Sequence, residues 1–188
     1  MASSMAYLRL VRPPSAEPMA DHECVEAYDR DLDYIFGTLR RLGAPPADLE
    51  DLAHDIFVVL LRNWVTLDKS RPLRPYLFGI AFRVVRAHRR RRVREVPHQA
   101  ALQAEDEGPS AERLFQSHEE SALLQEALDR VPLTRRAVLI MHELDGIGIV
   151  EIAKALSITR FGAYARLRKG HRELAAAVRR LERQGVRP

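Results

Sequence analysis

The chain has 188 residues, with 30 Lys and Arg against 26 Asp and Glu, a net charge of +4 and one cysteine. A single Cys24 excludes an internal disulfide and suits a reducing cytoplasm, and no stretch approaches the ~20 apolar residues that cross a bilayer. The length allows two small domains with modest cores, and the basic balance favours an anionic partner such as nucleic acid. The charge is segregated: Arg83, Arg86, Arg89, Arg90, Arg91, Arg92 and Arg94 form a basic block, and Glu105, Asp106, Glu107, Glu112, Glu119 and Glu120 an acidic one. That alternation suggests two DNA-facing modules separated by a linker with a different task.

Residues 1–20, with Pro13, Pro14 and Pro18 and no sustained period, are expected to be a disordered tail. From Asp21, Val25, Tyr28, Leu32, Ile35, Phe36, Leu39 and Leu42 step by threes and fours, predicting one helix that Gly43 stops. Pro45-Pro46 then opens a second helix with a stripe of Leu49, Leu52, Ala53, Ile56, Phe57, Leu60 and Trp64. Its other face carries Asp48, Glu50, Asp51 and Asp55, which serve either the helix dipole and solubility or a docking surface. Residues 65–75 hold two prolines and no period and read as a loop. A third helix from about Tyr76 is expected to bury Leu77, Ile80, Ala81, Val84 and Val85 before entering the arginine block. Tyr76, Phe78 and Phe82 beside those arginines either pack in the core or stack on exposed bases while the cations grip phosphates.

Residues 95–118 contain Pro97, Gly108, Pro109 and most of the acidic run, and read as a flexible connector. A helix restarts on Leu123, Leu124, Ala127, Leu128 and Val131 and stops at Pro132; Thr134 is expected to cap the next, whose Ala137, Val138 and Met141 face inward. After Asp145-Gly146, a short helix with Ile149, Ile152, Ala153 and Leu156 leads through Ser157-Ile158-Thr159 into a long basic one. There Ile158 plugs the junction and Thr159 is the N-cap. Ala163, Leu167, Gly170, Leu174, Val178 and Leu181 share one stripe, leaving Phe161, Tyr164, Ala165, Arg168, Lys169 and Arg172 outward. This is the pattern of a helix-turn-helix whose second helix reads a DNA major groove. No strand pattern competes, so the chain is expected to be all-α: two small helical domains, the C-terminal one a helix-turn-helix.

The residues alone leave several functions open: a polymerase subunit, a stand-alone helix-turn-helix transcriptional regulator, or a nucleic-acid enzyme. The last has little support. The acids of the second helix have no histidine partner or phosphate loop, and His22 with Cys24 are too few for zinc, so no metal, cofactor or catalytic centre is expected.

Together the two modules resemble a bacterial sigma factor of the extracytoplasmic-function group, the minimal two-domain members of the sigma-70 family, over about residues 21 to 182. DLEDLAHDIFVVLL resembles the family's acidic helix, and PYLFGIAFRVVRAHRRRR the helix that contacts the minus-ten promoter element. ALDRVPLTRRAVLIMHELDGIGIVEIAKAL with the basic helix resembles the minus-thirty-five binding domain. The resemblance implies a region 2-like domain at 21–94, an acidic linker at 95–118 and a region 4-like domain at 119–183. It implies a cytoplasmic initiation factor without catalytic activity, whose partners are core RNA polymerase (the largest-subunit clamp helices and the flap), promoter DNA and an anti-sigma factor. By position it assigns Asp48, Asp51, His54 and Asp55 to polymerase. Lys69, Arg71, Arg74, Tyr76, Phe82, Arg83, Arg86, Arg89 and Arg90 fall to the minus-ten element, where the Val65–Arg74 loop captures a flipped base. Arg160, Phe161, Tyr164, Ala165, Arg166, Arg168 and Lys169 fall to the minus-thirty-five element. The chain departs from the family at His54-Asp55 (usually Gln-Glu), Tyr76 (Trp), Phe82-Arg83 (Arg-Asn), Gly148 (a Ser cap) and Gly162 (Thr). Gly162 and Gly170 each cost the last helix about 1 kcal/mol relative to Ala.

Overall fold

The computed structural model describes residues 18–95 and 117–184, which contain eight α-helices and no strand. The expected tail lies almost entirely outside these residues, as does nearly all of the acidic connector. The first group of helices comprises α1 (Pro18–Arg30), α2 (Leu32–Arg41), α3 (Leu49–Asn63) and α4 (Leu73–Glu95). The second comprises α5 (Ser117–Asp129), α6 (Leu133–Leu139), α7 (Ile149–Ala155) and α8 (Arg160–Arg183).

The single first helix read from periodicity is two helices. The chain breaks at Asp31, whose backbone sits at φ −103°, ψ 12° and whose carboxylate accepts from Arg74 Nε on α4 at 2.8 Å. The break re-aims the apolar stripe, so Cys24 and Ala27 are buried while Val25, Leu32 and Phe36 are only half-covered. Gly43 does end α2, at φ +78°, a left-handed conformation that a side chain disfavours. Pro46 opens a 3₁₀ turn, and α3 buries Leu49, Leu52, Ala53, Ile56 and Leu60 as its period demands. The Tyr28 hydroxyl donates to Ala53 O at 2.8 Å, which ties α1 to α3.

Helix α4 starts at Leu73, three residues before the expected start, because Pro75 within the first turn removes an N–H that would lack a partner there anyway. All six residues from Leu77 to Phe82 are buried, so this segment is covered around its whole circumference. One side packs on α2 and α3, and the other meets α7 of the second group.

In the second group Pro132, not Thr134, is the N-cap of α6, and no side chain caps it. Residues 136–141 are buried without interruption and form the centre of this group. Arg136 is 1% exposed and holds its charge against Asp129, with Nε donating to Val131 O at 3.2 Å. A π-turn, Ile140–Leu144, follows, with Asp145 N–H reaching back five residues to Ile140 O. Thr159 caps α8 as expected, its Oγ1 accepting from Gly162 N–H at 3.0 Å. Val178 is exposed, and Ala177 takes its place in the buried stripe. Gly170 sits at the α6–α8 crossing, where an added Cβ would stand 2.9 Å from Leu139 Cγ.

The main apolar cluster runs through both groups, from Cys24 and Ile35 through Phe78 and Phe82 to Ile152 and Leu167. A small second cluster of Ala127, Ala177 and Leu181 seals α5 onto α8.

Candidate nucleic-acid interface

The acidic face of α3 presents Asp51, His54 and Asp55 to solvent. Asp48, predicted to act with them, is turned to α4, where its Oδ2 lies 3.2 Å from His88 Nε2 and 4.0 Å from Arg92 Nη1. Asp51 and Asp55 have no ion-pair partner among the described residues, which leaves them available to an external cation.

The loop between α3 and α4 is held from three sides. Lys69 Nζ stands 4.9 Å from the centre of the Trp64 ring and 2.6 Å from Glu23 Oε2, a bond that holds the Glu23 carboxyl below its usual range. Arg71 pairs with Asp68 at 2.9 Å, and the same Asp68 carboxylate accepts from Ser70. Arg74 stacks over the Tyr34 ring at 5.0 Å while bonding Asp31. Of these, Asp68, Lys69 and Arg71, together with Trp64, Leu67, Leu73 and Tyr76, line one wall of a cleft of about 720 Å³, and Arg74 stands outside it. The opposite wall belongs to α7, through Glu151, Lys154 and Ala155.

Along α4 the predicted DNA-binding residues divide. Arg86 and Arg90 are exposed, as is Arg91, and none has an acidic partner among the described residues. Arg89 is half-buried and donates to Leu42 O at 3.1 Å and Gly43 O at 3.0 Å, capping α2. Arg83 reaches Ala155 O on α7 at 3.4 Å. Phe82 is 4% exposed in the core, so the expectation that it meets DNA is corrected: its ring has no free face for a base. Arg86, Arg89 and Arg90 line a groove of about 540 Å³ with Val93 and residues Pro132, Leu133 and Thr134.

On α8, Phe161 is 83% and Tyr164 62% exposed, and Arg160, Arg168 and Lys169 are exposed beside them. Ala165 and Arg166 are half-buried at the margin of the same face. None of these cations forms an ion pair among the described residues, so the helix offers bare positive charge and aromatic surface in one strip. Such a strip suits phosphate contact by the cations at its edge and base-edge contact at its centre. Behind it, Glu143 accepts from His142 Nδ1 at 2.8 Å and His171 Nε2 at 2.9 Å. Both bonds hold the Glu143 carboxyl below its usual range and tie the π-turn to α8.

Several residues that organise these surfaces carried no sequence signal as site residues. Tyr34, Asp31, Asp145 and Arg136 are each spaced from their partners in ways that no local period encodes. No group of three or more His, Cys, Asp or Glu among the described residues is placed to hold a metal ion, and no described helix is long and apolar enough to cross a membrane.

Comparison with known proteins places these surfaces in a family context. Residues 27–95 match sigma-70 region 2. The chain is similar to RNA polymerase sigma factor NccH of Alcaligenes xylosoxydans xylosoxydans, 25% identical over 183 residues that cover 86% of this chain and 96% of that one. It is also 25% identical, over 149 residues, to the ECF RNA polymerase sigma factor SigE of Mycolicibacterium smegmatis, covering 76% of this chain and 56% of SigE. Among solved structures, the fold is similar to the sigma factor RpoE of Bartonella quintana in complex with the anti-sigma factor NepR. That match has a TM-score of 0.66 at 17% identity and covers 82% of this chain and 98% of RpoE.

Proposed function

We propose that this chain is a transcription initiation factor of the sigma-70 family, in its extracytoplasmic-function group, and that its surfaces divide the work as follows. Region 2 comprises the first helical group, within about residues 21–94, and region 4 the second, within about 119–183. The open acids of α3, Asp51 and Asp55 with His54, dock on basic clamp helices of core RNA polymerase. Asp48 supports them by anchoring α3 to α4 through His88.

Promoter DNA is met at two places. The loop with Lys69, Arg71, Arg74 and Tyr76 captures an unstacked minus-ten base, exchanging stacking of a few kcal/mol for contacts in the cleft. Arg86 and Arg90 grip the backbone of the melting duplex, joined by Arg83 once it leaves α7, while Arg89 keeps the helix end in place. The exposed face of α8 enters the major groove at the minus-thirty-five element: Tyr164, Ala165, Arg168 and Lys169 meet base edges beside Phe161, and Arg160 and Arg166 lie on phosphates. Arg168 on a guanine is worth about 1–3 kcal/mol of discrimination. The protein acts in the cytoplasm and is controlled by an anti-sigma factor.

The observation that carries this division is one arrangement: region 2 ends in an arginine-bearing helix and is followed by a helix-turn-helix whose second helix shows Phe161, Tyr164, Arg168 and Lys169 unpaired to solvent. Retention of sheared duplex DNA by the purified protein, with and without core polymerase, tests it. Sequence-selective retention is expected only with polymerase present. Equal selectivity by the protein alone is the outcome of a stand-alone regulator and overturns the division.

A further inference from the structure

Among the large apolar side chains of the described residues, Phe161 is the most exposed, at 83%. It belongs to neither apolar cluster, and it is the second residue of α8, directly after the Thr159 cap that fixes the start of the helix. At ~100° per residue, Phe161, Ala165, Arg168 and Arg172 fall within about 60° of one another. That arc lies opposite the buried stripe of Ala163, Leu167, Gly170 and Ala177. Phe161 therefore projects away from the body of the protein, and Gly162, with no side chain, leaves one flank of it clear.

A single exposed apolar residue needs no explanation by itself; what gives this one a role is its company. Arg160, Arg168 and Lys169 are exposed around it, with no ion-pair partner among the described residues. Such cations draw a helix onto phosphates, and a recognition helix sets its first residues against base edges. The base edges of a major groove offer one apolar group, the 5-methyl of thymine; their other features are donors and acceptors. Phe161 and the half-buried Ala165, one turn further on, make an apolar patch that suits this methyl. Against the other bases the ring would cover polar atoms without bonding them, which is a penalty rather than a neutral contact. Seven residues, about 10 Å of helix, separate Phe161 from Arg168, so the two side chains meet different base pairs. A protein-docking ring would instead be expected among apolar neighbours, since charged residues are depleted at the centre of such interfaces.

We propose that Phe161, backed by Ala165, reads the 5-methyl group of a thymine in the minus-thirty-five element, and so selects thymine at one position independently of the guanine contact of Arg168. This rests on the assignment of the α8 face to that element. The selectivity comes from shape and desolvation alone, because a phenyl ring has no donor or acceptor to offer a base. It is therefore sensitive to the presence of one methyl group and indifferent to the base pairing beneath it.

The test uses the full-length protein assembled with core RNA polymerase. Duplexes selected from a random library give the preferred element, and each thymine in it is then replaced by deoxyuracil, which removes the methyl and keeps the pairing. Deoxyuracil at one position should weaken binding by about fourfold, as expected for uncovering one methyl group, and 5-methylcytosine there should bind better than cytosine. Phe161→Ala should abolish both differences with an unchanged circular dichroism spectrum, whereas Arg168→Ala should keep them and lose the preference for guanine. If the selected element holds no thymine, or deoxyuracil matches thymine at every position, no methyl is read and the proposal is refuted. It is equally refuted if Phe161→Ala weakens thymine and deoxyuracil duplexes alike, in which case the ring makes contact without choice, or if that variant releases the polymerase, in which case the ring docks protein. In each of these cases the α8 assignment stands so long as Arg168→Ala changes the selected sequence. If neither variant changes it, α8 does not read DNA, and the assignment falls together with the proposal.

Discussion

Single residues here are set by what they touch across the fold. Gly170 lies in the interior of α8, where alanine would be the better helix former. It is nonetheless required by the crossing with α6, where Leu139 leaves no room for a Cβ. Gly170→Val is therefore expected to destabilise the protein by about 2 kcal/mol through overpacking and poorer helix propensity, read by urea unfolding; an unchanged midpoint would show that the crossing relaxes freely. Asp145 makes a pH-dependent prediction. Burial raises its carboxyl above the usual range, outweighing the Tyr34 hydroxyl and the Arg41 and Arg74 charges that lower it. A raised folded value means that its contribution to stability is complete below the unfolded carboxylate value of about 4 and is lost as pH rises through the folded one. Asp145→Asn keeps an acceptor for Tyr34 but does not titrate. As pH rises above the unfolded carboxylate value of about 4, the wild type should thus lose stability relative to the variant, and parallel stability curves would contradict this. Thr159 was legible as a cap because its bond is local, three residues away. Arg136 was not, since one arginine of an Arg-Arg pair reads as surface until Asp129 and Val131 fold around it.

At the scale of elements, periodicity located α3 and α8 and their buried faces because each has one apolar stripe and one polar face. It misread α1 and α2 as one helix. At the break Asp31 accepts from Arg74, 43 residues along the chain, and no local pattern marks that pairing. It also left the aromatic residues of α4 undecided, since residues 77–82 are covered on all sides and such a run has no period to read. Phe82 looked like a base-stacking ring for that reason, whereas it is buried in the core. The α3 acids divide in a way that spacing alone did not indicate: Asp48 faces α4, and Asp51 and Asp55 are exposed with no ion-pair partner among the described residues. Reversing the charge at Asp51 should accordingly abolish co-elution with core RNA polymerase while leaving the circular dichroism spectrum unchanged. An Asp51→Arg protein that still co-elutes would remove α3 from the docking surface.

On the scale of the whole molecule, the order of elements among the described residues could be read from the chain: a helix with an acidic face, a helix ending in arginines, and a helix-turn-helix. Their packing could not, because Tyr34 and Asp145 stand 111 residues apart and Arg83 and Ala155 72. The most direct test of the account is transcription in vitro, with the purified protein, core RNA polymerase lacking any other sigma factor and fragmented host DNA, and the 5′ ends of the transcripts sequenced. The account predicts discrete start sites that share two upstream sequence elements. Transcripts that start without any shared upstream sequence, or only at fragment ends as with core enzyme alone, would contradict it.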